Sequence, residues 1–334
     1  MAEHAERLAE EETMLADLIR SVERAFGCRV AQAEPIRRGW LNLKWKLTTE
    51  SGPLLLKQYN KRRYRMYREE TLLRAFRQQV RLYGLGLACP RLLAAGEDIL
   101  LHSEGGERFL VMEHCAGELV PAGRADERQM YALGREAGRM HRWLNDGTVG
   151  RLDAPQFVPP GREERLAYWR TLQDQNRSDG GERLLADLEL QLRATEAMST
   201  EDMAGLLPGW AHRDLWADNL LFDGERVAAI LDFDRLNYDY PDLDIARAVL
   251  SYALDEAGVL HVPLAAAFVH GYREERELEP GRLTRSFRVL WYMESVWWIR
   301  PGEDPSSSPP IRFAREMRWL AAHQEELSDL LGGL

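Results

Sequence analysis

Apolar residues recur at helical spacing near the start of the chain and then alternate with polar residues. Five of them, three or four positions apart, predict an amphipathic helix: Leu15, Leu18, Ile19, Val22 and Phe26. Leucine and tryptophan alternate with polar residues in WLNLKWKLTT (40–49), and PLLLKQY (53–59) follows after the turn-forming residues ESGP. These two segments predict a β-hairpin whose second strand carries Lys57 close to its end.

The next patterns predict one helix and two more short strands. The helix is basic and covers about 64–83, and the strands are DILLHS (98–103) and ERFLVMEH (107–114). Everything up to residue 114 therefore has the pattern of a small sheet with a helix packed on it.

Helical patterns dominate from Asp126 onward, with one exception. The exception is NLLFDGERVAAILDFD (219–234), which has the pattern of a strand, a tight Asp-Gly turn and a second strand. The predicted helices are 126–144, 162–176, 181–197, 243–257, 263–276, 284–299 and 311–331. This order predicts an α+β fold, with a small mixed lobe over 1–114 and a larger, mostly helical lobe over 115–334.

Composition narrows the class of protein. The 334 residues are 45% hydrophobic and 29% charged, as in ordinary soluble proteins, and a net charge of −10 argues against nucleic-acid binding, which needs cationic surface. The three cysteines form no disulfide-like or metal-like pattern. The acidic N-terminus resembles no secretory signal, and no apolar run reaches the roughly 18–20 residues of a membrane span. We expect a cytoplasmic protein with no nucleic-acid or membrane partner.

Two polar segments carry candidate chemistry for phosphoryl transfer: HRDLWADNLLF (212–222) and LDFD (231–234). This reaction needs a base near the attacking hydroxyl and oxygen ligands for Mg²⁺. Asp214, on a loop before a strand, is the candidate base. The amide oxygen of Asn219 and the carboxylate of Asp232 are the candidate metal ligands. His212 more plausibly supports the loop than takes part in the reaction.

The first lobe offers candidate contacts for ATP. Lys57 is placed to bind the phosphates, although a surface lysine is the alternative. Its expected carboxylate partner is Glu70, with Glu69 as the alternative. Backbone amides from Gly39 to Asn42 can approach the phosphates, and the backbone at Glu113 and Cys115 can pair with adenine; an ordinary strand entry and an ordinary linker are the alternatives.

Candidate substrate contacts are less clear from the sequence than the candidate ATP contacts. Trp291, Glu294 and Trp298 share one helix face and can hold an amine by cation–π attraction and charge, but core packing is the favoured interpretation of such a stripe. Asp234 follows the candidate metal ligand closely enough to face a substrate. The basic segment NKRRYRMYR (60–68) is interpreted as a solvated helix face.

The segments GWAHRDLWADNLLF and AAILDFDRLNYDYPDLDIARAV together resemble the aminoglycoside phosphotransferase and choline kinase group. The resemblance implies a protein-kinase-like two-lobed fold and transfer of the γ-phosphate of ATP, with Mg²⁺, to a hydroxyl of a small molecule. It assigns the base, metal and phosphate roles to the residues named above, and it implies that Asp244 in DLDIA braces the catalytic loop. Within the group, the chain is most similar to spore-coat-associated and homoserine-kinase-like members.

Several departures bear on the acceptor. Arg213 stands where most members of the group have glycine, which creates the HRD triplet of protein kinases. However, Trp216 occupies the usual lysine position of Ser/Thr kinases, DFD replaces DFG, and no APE motif follows. These features favour a small acceptor, such as an aminoglycoside-like, amino-alcohol, homoserine-like or sugar-like molecule. There are two alternatives. The first is a nucleotide-binding or coat-assembly protein that keeps the fold, and the second, less favoured, is a protein kinase.

Overall fold

The structure, a computed structural model, describes residues 2–37, 42–61, 68–178, 181–198, 203, 205–301 and 310–334. The chain separates into two compact units. The first consists of Met1–Gly117 and Ala228–Arg235, and the second consists of Glu118–Val227 and Leu236–Leu334.

The first unit is built on an antiparallel sheet in the order β1-β2-β3-β5-β4. Its elements are α1 (Ala2–Phe26), β1 (Val30–Pro35), β2 (Leu43–Thr49), β3 (Gly52–Tyr59), α2 (Glu69–Gly84), β4 (Leu101–His102) and β5 (Arg108–Glu113).

Each face of this sheet is covered by one helix, as the alternation in its strands requires. Leu18 and Val22 of α1 pack with Trp45 and its neighbours on one face. Leu72 and Phe76 of α2 pack on the other face with the apolar residues Tyr59, Leu92, Leu100 and Leu110. Lys57 lies two residues before Tyr59 on β3, and therefore shares the face that α2 covers.

The second unit is mostly helical. Its elements are β6 (Glu118–Leu119), α3 (Glu127–Leu144), α4 (Arg162–Asn176), α5 (Glu182–Ala197), β7 (Gly209–Ala211), β8 (Leu220–Asp223), the start of β9 (Arg226–Ile230), β10 (Asn237–Asp239), α6 (Pro241–Ala253), α7 (Val262–Glu275), α8 (Arg282–Trp298), α9 (Pro310–Ala322) and α10 (Leu327–Leu331). Strand β7 pairs antiparallel with β10, and β6 pairs antiparallel with β8.

Helices α3 and α7 approach each other closely because glycines lie at their contact. A Cβ atom on Gly134 would lie 2.0 Å from the carbonyl oxygen of Phe268, and one on Gly271 would lie 2.0 Å from that of Tyr131. Only glycine fits at such an approach. The close packing brings the end of α3, which carries His141, against Tyr272 of α7.

The α+β class and the helices of both units agree with the sequence prediction, with local differences. Residues 62–67 at the start of the helix expected over 64–83 lie outside the described residues, and α2 begins at Glu69. The helix expected over 311–331 is broken after Ala322, where the ring of His323 hydrogen-bonds the carbonyl oxygen of Trp319 at 2.8 Å. Among the described residues, no helix combines the length and apolar character that crossing a bilayer requires.

Candidate active site

Lys57 lies almost fully buried in the first unit, with a side chain 3% exposed. Its ammonium donates hydrogen bonds to Oδ1 of Asp232 at 2.7 Å and to Oδ2 of Asp234 at 2.6 Å. Burial opposes the charge, but the two carboxylates outweigh it and raise the pKa of Lys57 above its ordinary value. The lysine is therefore a permanent, buried cation and not a surface residue.

The two aspartates reach Lys57 because the chain turns sharply after β9. Asp232 has a positive φ of 64°, which is uncommon for residues other than glycine but is tolerated by aspartate. A short 3₁₀ turn, Phe233–Arg235, then places Asp234 on the same ammonium.

The environments of these two carboxylates differ. The Asp232 side chain is 23% exposed, and its second oxygen lies 3.7 Å from Nζ of Lys44. Asp234 is 5% exposed, and the hydroxyl of Tyr59 donates to its second oxygen at 2.9 Å. Burial raises the pKa of Asp234 to about 6, although Lys57 acts to lower it. Asp232 is thus the more accessible carboxylate, and Asp234 is a structural partner of Lys57 and Tyr59.

The structure places two candidate residues differently from the sequence-based expectation. Glu70 is exposed on α2, and the hydrogen bonds of the Lys57 ammonium within the described residues go to Asp232 and Asp234 instead. Glu69, the alternative, pairs with Arg108 at 3.1 Å. Asp234, expected near substrate, is buried beside Lys57. The sequence could not show this, because it is the turn after Asp232 that brings a second carboxylate to the lysine.

The remaining nucleotide candidates are placed as follows. Gly39 lies outside the described residues. Asn42 Oδ1 is buried with no hydrogen-bond partner in the part of the chain that the structure describes. The backbone N–H of Glu113 donates to Arg91 O at 2.9 Å, so this N–H is already engaged. Burial raises the pKa of the Cys115 thiol to about 11, and the thiol stays protonated.

The loop after β7, in the second unit, is held by one buried carboxylate. Asp244 accepts the backbone N–H of His212 at 2.6 Å and that of Arg213 at 2.7 Å. Arg213 has a φ of 66°, so this clamp stabilises a left-handed turn that a non-glycine residue adopts only at a cost. Asp244 therefore holds the backbone of this loop at two consecutive residues.

The same loop orients Asp214. The side-chain amide of Asn219 donates to both the backbone oxygen and Oδ2 of Asp214, each at 2.9 Å. The backbone N–H of Asp214 donates to Nδ1 of His212 at 3.2 Å. The nitrogen of the Asn219 amide is engaged twice, so its oxygen is the end of that side chain suited to a cation. His212 supports the loop, as its pattern indicated.

Asp244 is itself fixed by a buried histidine that the sequence analysis did not select. His141 Nε2 lies 3.0 Å from Asp244 Oδ2, and Nδ1 lies 2.9 Å from the hydroxyl of Tyr272. Burial lowers the pKa of His141, whereas the pKa of Asp244 is lowered despite burial by the hydrogen bond from His141 and by nearby positive charge. A neutral imidazole therefore donates from Nε2 to the carboxylate and accepts the Tyr272 hydroxyl at Nδ1.

Arg213 also makes side-chain contacts within the second unit. Its Nε donates to Asp239 Oδ2 at 2.7 Å, and its Nη1 lies 3.8 Å from Glu294. Burial raises the pKa of Asp239 to about 6, against the effect of Arg213. The Arg213 side chain is thus held by a buried carboxylate within the second unit.

The side chains of the aromatic helix face pack within the second unit, the arrangement that the sequence pattern favoured over substrate binding. Trp291 is 0% exposed, and its indole N–H donates to Gln191 Oε1 at 2.6 Å. Glu294 is buried against Arg247 and close to Arg213. Trp298 packs on Phe313, with ring centroids 4.7 Å apart. The structure gives these three side chains partners within the protein.

The burial of His141 leads us to expect that the free energy of unfolding depends on pH. Its folded pKa is below the ordinary 6.5, so below pH 6.5 the unfolded chain binds a proton that the folded chain does not. Stability should therefore fall with falling pH, at up to about 1.4 kcal/mol per pH unit for one proton. His141→Gln keeps a neutral donor and acceptor and should lose this part of the slope, measured by urea unfolding from pH 5 to 8. Equal slopes in both proteins would contradict the assignment.

Comparison with known proteins identifies related sequences and folds. A profile of the phosphotransferase enzyme family, APH, matches residues 32–283. The chain is 29% identical to the homoserine kinase of Methylobacterium radiotolerans over 249 residues, which cover 73% of this chain and 71% of that protein. It is 23% identical to the homoserine kinase of Rhizobium etli over 295 residues, which cover 85% and 87%.

Among solved structures, the amicoumacin kinase hAmiN in complex with AMP-PNP, Ca²⁺ and Ami is similar to this chain with a TM-score of 0.59. The sequences are 17% identical, and the match covers 98% of this chain and 96% of that one. This likeness confirms the expected α+β, protein-kinase-like fold.

Proposed function

The chain belongs to the APH phosphotransferase enzyme family and is a kinase of small-molecule hydroxyl groups, and from this premise we propose that Asp214 is its catalytic base. The observation that carries this role is the pair of hydrogen bonds that Asn219 donates, one to the carboxylate and one to the backbone oxygen of Asp214, on a loop that Asp244 clamps. A fixed carboxylate can orient an alcohol and accept its proton as the oxygen attacks phosphorus.

The other proposed roles concern ATP and Mg²⁺. When bound, ATP supplies the phosphoryl group and Mg²⁺ neutralises charge on its phosphates. The Asp232 carboxylate and the Asn219 amide are oxygen donors of the kind that Mg²⁺ prefers, and Asp232 is the accessible one of the two aspartates on Lys57. Lys57 supplies a buried cation for the phosphates.

Four further positions stay predictions for nucleotide binding. The Asn42 side chain and the backbone near Gly39 are proposed beside the phosphates, and the backbone at Glu113 and Cys115 is proposed beside adenine. The unpartnered oxygen of Asn42 supports a polar ligand there. The need for ATP is consistent with a cytoplasmic location, which remains a prediction from the sequence.

For the acceptor we propose a small amino alcohol, with homoserine as the first candidate. Its support is the match to homoserine kinases over most of both chains. An aminoglycoside-like acceptor is the second candidate, because the aminoglycoside phosphotransferase APH(2'')-Ib has a similar fold, with a TM-score of 0.54 over 92% of this chain.

A panel of acceptors tests this function. Purified protein with Mg·ATP is mixed with homoserine, choline, simple sugars and aminoglycosides, and acceptor-dependent ADP release is measured. We expect release with an amino alcohol and none without acceptor. No release with any member would favour the coat-assembly alternative, and transfer of labelled phosphate to a protein mixture alone would favour a protein kinase.

A further inference from the structure

We propose that Asp234 is a positioning residue that holds the Lys57 ammonium for phosphoryl transfer, in the place where the sequence pattern favoured a glutamate of α2. The proposal rests on the proposed function, because it assumes that Lys57 binds the phosphates of ATP. It concerns contacts within the first unit alone.

The buried Lys57 ammonium needs a carboxylate partner that remains hydrogen-bonded to it. A buried ammonium is costly without a counter-charge, and its two hydrogen-bonded carboxylates are Asp232 and Asp234. Asp232 is the more exposed of the two and is the proposed metal ligand. A carboxylate that serves a metal is less available to the lysine, so a lasting partner has to be the other aspartate.

Asp234 has the geometry of such a partner. One oxygen accepts from Lys57 at 2.6 Å and the other accepts from Tyr59 at 2.9 Å, so the carboxylate is fixed at both ends. Lys57 and Tyr59 lie on the same face of β3, and the turn Phe233–Arg235 packs against α2. Helix α2 thus contributes apolar packing at this place, while its exposed Glu70 contributes no carboxylate.

Steady-state kinetics test the proposal. Asp234→Asn removes the charge and should lower kcat/KM for ATP by about 10- to 100-fold, the usual effect of a displaced catalytic group, with the KM of the alcohol acceptor unchanged. Tyr59→Phe removes one hydrogen bond and should lower kcat/KM by about 2- to 10-fold. Glu70→Gln is the matched control, with the same change of charge, and should equal wild type.

A Lys57→Met background separates positioning from structural support. In the Lys57→Met background, Asp234→Asn should cause no further loss of kcat/KM, because Asp234 acts only through Lys57. In the nucleotide-free protein, Asp234→Asn should lower the melting temperature in the wild-type background and raise it in Lys57→Met, where the carboxylate is buried without its cation.

Three outcomes would overturn the proposal: a Glu70→Gln loss equal to that of Asp234→Asn, full activity of Asp234→Asn, or a further loss in the Lys57→Met background. If Asp234→Asn does not fold, Tyr59→Phe serves as the test in its place. A wild-type kcat/KM in Tyr59→Phe then counts against the proposal. Failure of the proposed function can be distinguished from failure of this inference, because the wild-type protein itself would then show no acceptor-dependent ADP release.

Discussion

Replacing Asp214 by asparagine should lower kcat by about 10²- to 10⁴-fold, the range that a general base contributes. The asparagine oxygen can still accept the hydrogen bond from Asn219, and the clamp of Asp244 on the loop backbone is untouched. The variant should therefore bind Mg·ATP nearly as wild type does. Single-turnover transfer measured beside equilibrium nucleotide binding separates the two effects.

Asp223→Asn is the control for this change, since Asp223 is an exposed aspartate on β8 that pairs with Arg226. It should leave kcat and nucleotide binding unchanged. If Asp214→Asn turned over at the wild-type rate, Asp214 could not be the base. A parallel loss of nucleotide binding and of kcat would instead indicate that the residue supports binding.

The grouping of Asp214 and Asn219 on one loop was predictable because the two residues are close in sequence. Asp214 and Asn219 are five positions apart, and one tight turn lets the amide of one reach the carboxylate of the other. The spacing of the two residues along the chain is therefore enough to predict that their side chains lie close together. The hairpin of β2 and β3 was predictable for a similar reason, because alternation marks strands that bury one face.

The partners of Lys57 were not predictable in this way. The choice between Glu69 and Glu70 compared positions on a helix, but the lysine meets two aspartates that are 175 and 177 residues away. The left-handed backbone of Asp232 makes this meeting possible, and no periodic pattern encodes a single φ angle. Strands β6, β7 and β10 escaped prediction because two or three residues are too few to show an alternation, whereas the equally short β4 lies within the longer predicted segment 98–103.

Periodicity also cannot tell a binding face from a core face. Trp291, Glu294 and Trp298 follow helical spacing in either case, and the carboxylate between two tryptophans suggested a cation. The cation exists, but it is an arginine of the protein: Arg247 donates to Glu294 and, at 2.5 Å, to Glu316. Its guanidinium also lies 4.5 Å from the ring centroid of Phe313.

This buried arrangement leads to the second large effect. Arg247→Met should destabilise the protein by about 1.5–3 kcal/mol, because Glu294 and Glu316 each lose a buried charged hydrogen bond. Glu316 keeps Arg312 at 2.6 Å, and Glu294 keeps Arg213 at 3.8 Å. Arg170→Met, which breaks a surface pair with Glu196, should change the free energy of unfolding by at most about 1 kcal/mol. Urea unfolding of both variants at one pH gives the comparison, and equal losses would contradict a role for the buried pair.

The role of Glu294 can be decided in the same series. If Glu294 serves Arg247, Glu294→Gln should lower the free energy of unfolding in the wild-type background. In Arg247→Met it should cost less, because the hydrogen bond that Glu294 accepts from Arg247 is already lost. If Glu294 instead bound the amine of a substrate, Glu294→Gln would raise the KM of the acceptor and leave unfolding unchanged. The hydrogen bond from Arg247 favours the first result, so the helix face that resembled a substrate site is expected to act on stability.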